Sequence, residues 1–169
     1  GGQPGEPGGE GGAQAADDSR EYAIKAVLLE RFSRFITWPE EPDPQVFRIC
    51  VLGDSPIADM LADIYGDHAI LGRPVALKSV EHLDCLADCD LLLVGSLDRK
   101  LLPTVATAAA RWGVLTVSDG PGLAESGMMI NFYLDDNRVR FEINEASADV
   151  AGFHFSHHLK REARLVGRE

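Results

Sequence analysis

Short apolar runs of strand length that alternate with helical segments constrain the fold of this chain most strongly. The most apolar run covers 90–94, and similar runs cover 47–52, 73–80 and 114–118. Strands joined by helical crossovers lie parallel and are buried on both faces. We therefore predict an α/β fold of flavodoxin-like or Rossmann-like type, with a mostly parallel sheet, helices on both faces and strand 47–52 between its two successors. The intervening segments with a helical pattern are 56–65, 81–88 and 98–111.

The segments before and after this region of alternating strands and helices show other patterns of apolar residues. Apolar residues with a 3.6-residue period predict a first helix over 19–37. After Gly120, two strands at 128–134 and 139–143 are joined by the turn Asp135-Asp136-Asn137-Arg138. Because these turn residues tolerate positive φ, we predict an antiparallel hairpin at the edge of the sheet. An amphipathic pattern predicts a final helix over about 145–165.

The chain length of 169 residues fits one domain. Residues 1–18 are rich in Gly and acidic residues and contain no large apolar side chain. Such a segment cannot offset the entropy lost on ordering, so we expect a disordered tail over 1–18. The remaining segment, 19–166, is predicted to form a single α/β domain.

The charge balance excludes several classes of partner. Lys and Arg number 16 against 27 Asp and Glu, which gives a net charge of −11. Phosphate recognition requires clustered cations, so we expect no nucleic-acid partner. Adhesion to an anionic bilayer is equally disfavoured, and no run approaches the ~18 apolar residues of a membrane span.

Sequence motifs give no sign of catalysis. The phosphate-loop, dinucleotide-binding and nucleophile-elbow patterns are all missing from the sequence. His154 and His158 have a spacing that can chelate a metal, but two ligands alone do not make a site, and a solvated helix face is the favoured interpretation. We therefore expect no enzyme, no metal and no cofactor, and we interpret the chain as a binding or regulatory module.

The carboxyl ends of parallel strands are where such folds bind ligands. Here they carry Asp54, Ser118 and Asp119, and Asn131 lies in the strand that follows. One hypothesis is a small-ligand pocket formed by these four residues. The alternative is that they cap helices and form turns.

Two further groups of residues each allow two interpretations. Phe32, Phe35 and Trp38 have helical spacing and can serve either as interface anchors or as core residues. The three cysteines fit either one disulfide and one free thiol or three reduced thiols.

Four stretches, taken together and in order, resemble the YfiR family of bacterial periplasmic proteins. The similarity extends along roughly 20–166. The stretches are 24–39 with Phe32-x-x-Phe35-x-x-Trp38-Pro39, then Phe47-Arg48-Ile49-Cys50-Val51-Leu52-Gly53, then 115–132 with Leu115-Thr116-Val117-Ser118-Asp119 and Gly127-Met128-Met129-Ile130-Asn131-Phe132, and finally Val139-Arg140-Phe141-Glu142-Ile143-Asn144.

The resemblance implies a non-enzymatic regulator in the periplasm. Such a protein would repress an inner-membrane diguanylate cyclase by binding its periplasmic domain, and would be released by an OmpA-like outer-membrane lipoprotein. Cyclic-di-GMP and biofilm formation would be the controlled outputs, and a homodimer is implied. Related domains also occur as extracytoplasmic sensor modules, which keeps a small-ligand sensor as the alternative.

The resemblance also implies a disulfide between Cys50 and Cys89, with Cys85 free. The assumed strand order supports this pairing, because it places the strands that carry Cys50 and Cys89 side by side. A second cysteine pair found in redox-sensitive members has no counterpart in 127–132, which argues against a redox switch. The acidic charge further predicts a comparatively basic partner surface.

Overall fold

The computed structural model describes residues 5–167, and a seven-stranded sheet forms its centre. Its strands, in sequence order, are β2 (Phe47–Leu52), β3 (Val75–Val80), β4 (Leu91–Val94), β5 (Leu115–Asp119), β6 (Ile130–Asp135), β7 (Arg138–Asn144) and β9 (Arg164–Val166). A separate two-stranded sheet pairs β1 (Ile36–Thr37) with β8 (His154–Phe155). The α-helices are α1 (Gly5–Arg34), α2 (Pro56–Tyr65), α3 (Leu102–Trp112), α4 (Glu145–Ala151) and α5 (His157–Glu162). Short 3₁₀ helices cover Leu83–Asp88 and Arg99–Leu101.

The strand order of the large sheet is β3-β2-β4-β5-β6-β7-β9. Neighbouring strands from β3 to β6 are parallel, β6 and β7 are antiparallel, and β7 and β9 are again parallel. The sequence prediction of a mostly parallel, flavodoxin-like sheet is therefore confirmed, including the position of β2 between its two successors.

Alternation along the strands divides the core into two layers. In β4, Leu91 and Leu93 belong to the cluster that also contains apolar residues of α1 and α2. Leu92 and Val94 belong to a second cluster, which includes Leu102, Val105 and Ala109 of α3. Successive side chains of a strand point to opposite faces, so this uniformly apolar strand fills both layers.

The turn between β6 and β7 has the backbone that its sequence predicts. Asp136 and Asn137 adopt φ values of 51° and 62°, as a two-residue hairpin turn requires. The predicted antiparallel hairpin is thus confirmed. Its predicted position is wrong, because β9 pairs with the outer side of β7 and forms the edge.

The predicted final helix over 145–165 is also wrong. Gly152 adopts a left-handed conformation with φ 83° and ends α4. Phe153 and Phe155 are buried on either side of the exposed His154, which is the alternation of a strand. The Ser156 hydroxyl oxygen then accepts a hydrogen bond from the Leu159 amide and begins α5.

The first helix is longer than its apolar periodicity predicts. The sequence places its beginning at about 19, after a disordered tail, whereas the helical backbone of α1 begins at Gly5. Residues 16–20 are exposed, so they carry no packing pattern that a periodicity search could detect. The part of the tail prediction that concerns 1–4 lies outside the described residues.

A disulfide joins Cys50 in β2 to Cys89, which directly precedes β4. The two Cα atoms lie 5.8 Å apart, and both residues are buried in the α3 layer. Cys85 is a partly buried free thiol. The pairing is the one that the family resemblance implies.

We expect removal of this disulfide to destabilise the domain. The bridge closes a sequence separation of 39 residues and so restricts the unfolded chain. The double variant Cys50→Ala/Cys89→Ala should lose about 2–4 kcal/mol of unfolding free energy in urea titrations. Cys85→Ala is the matched control and should lose less. Equal stability of the double variant and the wild type would contradict a structural role.

Candidate functional site

The topology places a cavity at the carboxyl edge of the parallel strands. The chain leaves β2 toward β3 on one side, while β4 lies on its other side, so β2 and β4 form the topological switch point of the sheet. A cavity of about 400 Å³ opens at the carboxyl ends of these strands. Its walls include Asp54 and Ser55 after β2, Gly95 and Ser96 after β4, and Asp119 at the end of β5.

The two loops approach each other closely because glycines occupy the contact. Asp54 and Ser96 form an isolated antiparallel bridge, and the Ser96 amide donates to the Asp54 carbonyl oxygen at 2.8 Å. A Cβ atom on Gly95 would lie only 2.2 Å from that carbonyl oxygen. Gly53 has a φ of 77°, and a Cβ atom there would lie 2.5 Å from the Ser96 carbonyl oxygen. The floor of the cavity is therefore fixed by backbone contacts.

Helix α1 adds a buried cation to this edge. Lys25 is 1% exposed, and its Nζ donates to the Asp119 carboxylate at 2.8 Å and to Glu21 one turn earlier. The ammonium group also lies 5.2 Å from the Tyr22 ring centroid and 5.9 Å from that of Phe132. A buried charge needs such partners, because its desolvation is otherwise uncompensated.

This arrangement shifts two titrating groups. Burial raises the pKa of Asp119, and Lys25 partly offsets that rise. Burial also raises the pKa of Tyr22, with Glu21 and Asp119 adding to the effect. The phenol of Tyr22 therefore stays protonated at neutral pH, and Tyr22 is one of the residues that line the cavity.

A second polar network lies beneath the cavity. The Asn131 side chain is fully buried; its Oδ1 accepts a hydrogen bond from the Ser118 hydroxyl at 2.9 Å, and its Nδ2 donates to the Gly120 carbonyl oxygen at 2.7 Å. The same amide donates to Glu142 at 2.8 Å, and Arg164 Nε donates to the other carboxylate oxygen at 2.9 Å. These bonds connect β5, β6, β7 and β9.

The structure divides the predicted pocket residues into two pairs. Asp54 and Asp119 line the cavity, whereas Ser118 and Asn131 are buried behind it and form hydrogen bonds within the protein. Tyr22 and Arg99 also line the cavity and were missed. Tyr22 lies in α1, far in sequence from any strand end, whereas Arg99 lies five residues after the end of β4.

Lys25 was missed as well, although its sequence context contains a signal. It lies next to Ala26 and three residues after Tyr22, on the face of α1 that should be apolar. A lysine on the buried face of an amphipathic helix requires a carboxylate partner. The sequence alone could have indicated that Lys25 needs a carboxylate partner, but it could not have identified that partner as Asp119.

The aromatic residues near the end of the first helix and just after it pack mostly within the domain. Phe32 is buried with its ring 4.6 Å from that of Phe141, and Trp38 is buried with its indole N–H donating to the Asp90 carbonyl oxygen at 2.8 Å. Phe35 is partly exposed and contacts His158. For Phe32 and Trp38, the core interpretation is the one that their burial supports.

Two features that bear on the kind of site are metal-ligand clusters and membrane-spanning helices, considered for the part of the chain that the structure describes. No group of three or more His, Cys, Asp or Glu residues there could hold a metal ion. Within the same residues, no helix combines the length and apolar character needed to cross a membrane.

The fold and the cavity together define the class of this protein as a doubly wound α/β domain with a crevice at its topological switch point. The model of the YfiR/HmsC-like family, DUF4154, matches residues 22–164. The chain therefore belongs to the YfiR/HmsC-like family. This family is regulatory and non-catalytic, and it suggests a periplasmic regulator of diguanylate cyclase signalling.

A solved structure shares the fold. The ABC domain in complex with L-Trp from Streptococcus pneumonia matches with a TM-score of 0.50 and 13% sequence identity. The match covers 71% of this chain and 55% of that chain, so this chain corresponds to little more than half of that protein's length. At this identity the similarity concerns the α/β fold alone.

We expect the buried cation at this edge to be important for stability. Lys25→Met keeps the apolar stem but leaves Asp119 and Glu21 without their cation. Because both carboxylates reach solvent, the loss of unfolding free energy near neutral pH should be about 2–3 kcal/mol, below that of a fully buried pair.

The pH dependence of that loss tests its origin. The contact requires an ionised Asp119, so its contribution is present above the pKa of Asp119 and disappears as the pH falls through it. Urea titrations should therefore show a smaller difference between the variant and the wild type near pH 3. Lys160→Met, which removes a peripheral pair with Glu145, should cost less than about 1 kcal/mol. A pH-independent loss would contradict this assignment.

Proposed function

We propose that this protein represses an inner-membrane diguanylate cyclase in the periplasm by binding the periplasmic domain of that enzyme. Cyclic-di-GMP levels and biofilm formation would be the outputs of this repression. The observation that carries the proposal is the family match over 22–164, because it extends over nearly all of the sheet and its covering helices.

Charge supports a particular kind of partner. The net charge of −11 favours a basic surface on the cyclase domain and disfavours direct attachment to anionic lipid. Charge pairs at the rim of an interface mainly increase the association rate, and salt screens them. Binding should therefore weaken as ionic strength rises.

The proposal includes two further associations. We infer that the protein acts as a homodimer, and that an OmpA-like outer-membrane lipoprotein can withdraw it from the cyclase. Both are carried over from the family resemblance. A non-enzymatic mode of action is part of the same proposal, since repression here requires binding alone.

We expect the purified protein to bind the periplasmic domain of a membrane diguanylate cyclase encoded in the same genome. A pull-down with the immobilised cyclase domain should retain it at about 0.05 M ionic strength and retain less at about 0.5 M. The cytoplasmic catalytic domain of the same cyclase is the control bait. Deletion of the gene should raise cellular cyclic-di-GMP, and an unchanged level would refute the repressor function.

The cavity at the carboxyl edge supports a second candidate function, an extracytoplasmic small-ligand sensor. Its volume of about 400 Å³ and its position at the switch point suit a small polar molecule. A ligand would raise the melting temperature of the wild type in a screen of small polar compounds. The increase should be smaller for Asp54→Ala, which alters the cavity wall, and unchanged for Arg138→Ala, at the distant hairpin turn.

A further inference from the structure

The amino ends of the parallel strands carry another cavity, at the edge opposite to the switch-point cavity. It has a volume of about 400 Å³ and lies next to Arg48 in β2, Asp90 just before β4 and Gly113 just before β5. The loop over 39–43 and the C-terminal ends of α3 and α4 complete its wall. Helix α3 runs antiparallel to the two strands that it connects, so its C-terminus lies at this edge.

Pro39 fixes the loop of this cavity against both helix ends. Gly113 and Gly152 directly follow α3 and α4, and both adopt a left-handed conformation. A Cβ atom on Gly113 would lie 2.9 Å from Pro39 Cγ, and one on Gly152 would lie 3.0 Å from Pro39 Cβ. The proline ring therefore packs against the ends of both helices, and Glu40 and Glu41, which follow it, are held beside them.

The acidic residues of this loop lie where helix dipoles disfavour them. The C-terminal end of a helix carries a partial negative charge and favours cations. Here Glu40, Glu41 and Asp43 are exposed and line the cavity together with the ends of α3 and α4. Arg111 is the one basic residue in the last turns of these two helices. Stability alone would not select this arrangement, and such local conflicts are typical of functional sites.

The chain itself compensates little of this negative charge. The guanidinium group of Arg48 is already engaged, because its Nη2 lies 3.3 Å from the buried Asp90 carboxylate and its Nη1 lies 3.9 Å from that of Asp88. Within the described residues, no ion pair joins Glu40 or Glu41 to a cation of the chain. The cavity therefore favours a positively charged group supplied from outside.

An exposed tryptophan extends this cavity into a larger surface. Trp112, the last residue of α3, is 44% exposed and lines both this cavity and a neighbouring one of about 600 Å³. The guanidinium carbon of Arg111 lies 5.2 Å from the centroid of its ring, a contact that orients the indole. Tryptophan is enriched among the residues that dominate the binding energy of protein interfaces. A large aromatic group beside unpaired carboxylates is suited to a protein partner.

We propose that Trp112, Glu40, Glu41 and Asp43 form the surface that docks the periplasmic domain of the cyclase, and that an arginine or lysine side chain of that domain enters the cavity. This inference rests on the proposed repressor function and adds the location of its interface, the Trp112 surface. Charge complementarity selects the occupant. The acidic loop favours a basic partner and disfavours a second copy of this chain, whose own net charge is −11.

Charge reversal tests the acidic part of the Trp112 surface. Binding of the purified protein to the immobilised periplasmic domain is measured by surface plasmon resonance at about 0.05 M ionic strength. Glu40→Lys/Glu41→Lys should raise the dissociation constant at least about tenfold and weaken its dependence on salt. Asp59→Lys/Glu125→Lys makes the same change in net charge at exposed positions in α2 and between β5 and β6, and should have a smaller effect. Equal losses for the two double variants would overturn the assignment, because only net charge would then matter.

Truncation of the indole tests the aromatic part of the same surface. Trp112→Ala should raise the dissociation constant at least about tenfold, since loss of a tryptophan at the centre of an interface removes a large share of the binding energy. Leu134→Ala, at a position 48% exposed in β6, is the matched control and should bind as the wild type does. Thermal melts show whether each variant is folded, and Trp112→Lys replaces the alanine variant if that variant is unfolded.

The outcomes separate the Trp112 surface from the broader proposal. A wild type that does not bind the periplasmic domain would overturn the repressor function and this surface together. A wild type that binds, with the same affinity in Glu40→Lys/Glu41→Lys and in the Trp112 variant, would overturn the surface and leave the repressor function intact. A Trp112 variant that converts a dimer into a monomer in analytical ultracentrifugation would assign the surface to a second copy and overturn the cyclase as its occupant.

Discussion

The burial of Lys25 determines how the first helix lies on the sheet. Its ammonium group has two carboxylate partners, Glu21 in the same helix and Asp119 at the end of β5. An apolar helix face can slide or rotate with modest loss, whereas a buried cation has one position in which its charge is compensated. The ion pair therefore fixes the register of α1, and the aromatic packing of Phe32 on Phe132 and Phe141 follows from that register.

A network of hydrogen bonds to the neighbouring strands also stabilises this carboxyl edge of the sheet. Asn131 binds the Gly120 backbone and Glu142, which in turn binds Arg164 in the last strand. Asp119 and Gly120 are adjacent, so one short segment connects the first helix to the last strand. The cavity wall is therefore part of the hydrogen-bonded framework of the fold, which explains why polar residues near it mostly bond to other groups of the protein.

The sequence predicted those features that depend on local pattern. The apolar runs of β2 and β4 and the Asp136-Asn137 turn have unambiguous local signatures, and all of them are present in the structure. The break at Gly152 and the three-residue β9 were missed, because the amphipathic pattern of 145–165 is compatible with one continuous helix. The Lys25–Asp119 contact could not be predicted from the sequence, for a different reason. It spans 94 positions, and only the assembled sheet brings the two residues together.

The distribution of polar groups also bears on what kind of function the fold can perform. At the carboxyl edge, Lys25 neutralises Asp119, and Asn131 and Ser118 use their hydrogen-bonding atoms on each other and on the backbone. Side chains whose hydrogen-bonding atoms are already paired within the protein form a rigid surface. They are poorly placed to exchange protons with a substrate. At the other side of the sheet, β3 has no further strand beside it among the described residues, although the Arg73 backbone just before it is paired with Ile70. A domain whose polar groups at the carboxyl edge are already paired with each other is suited to recognition by its surface, as the proposed binding function requires.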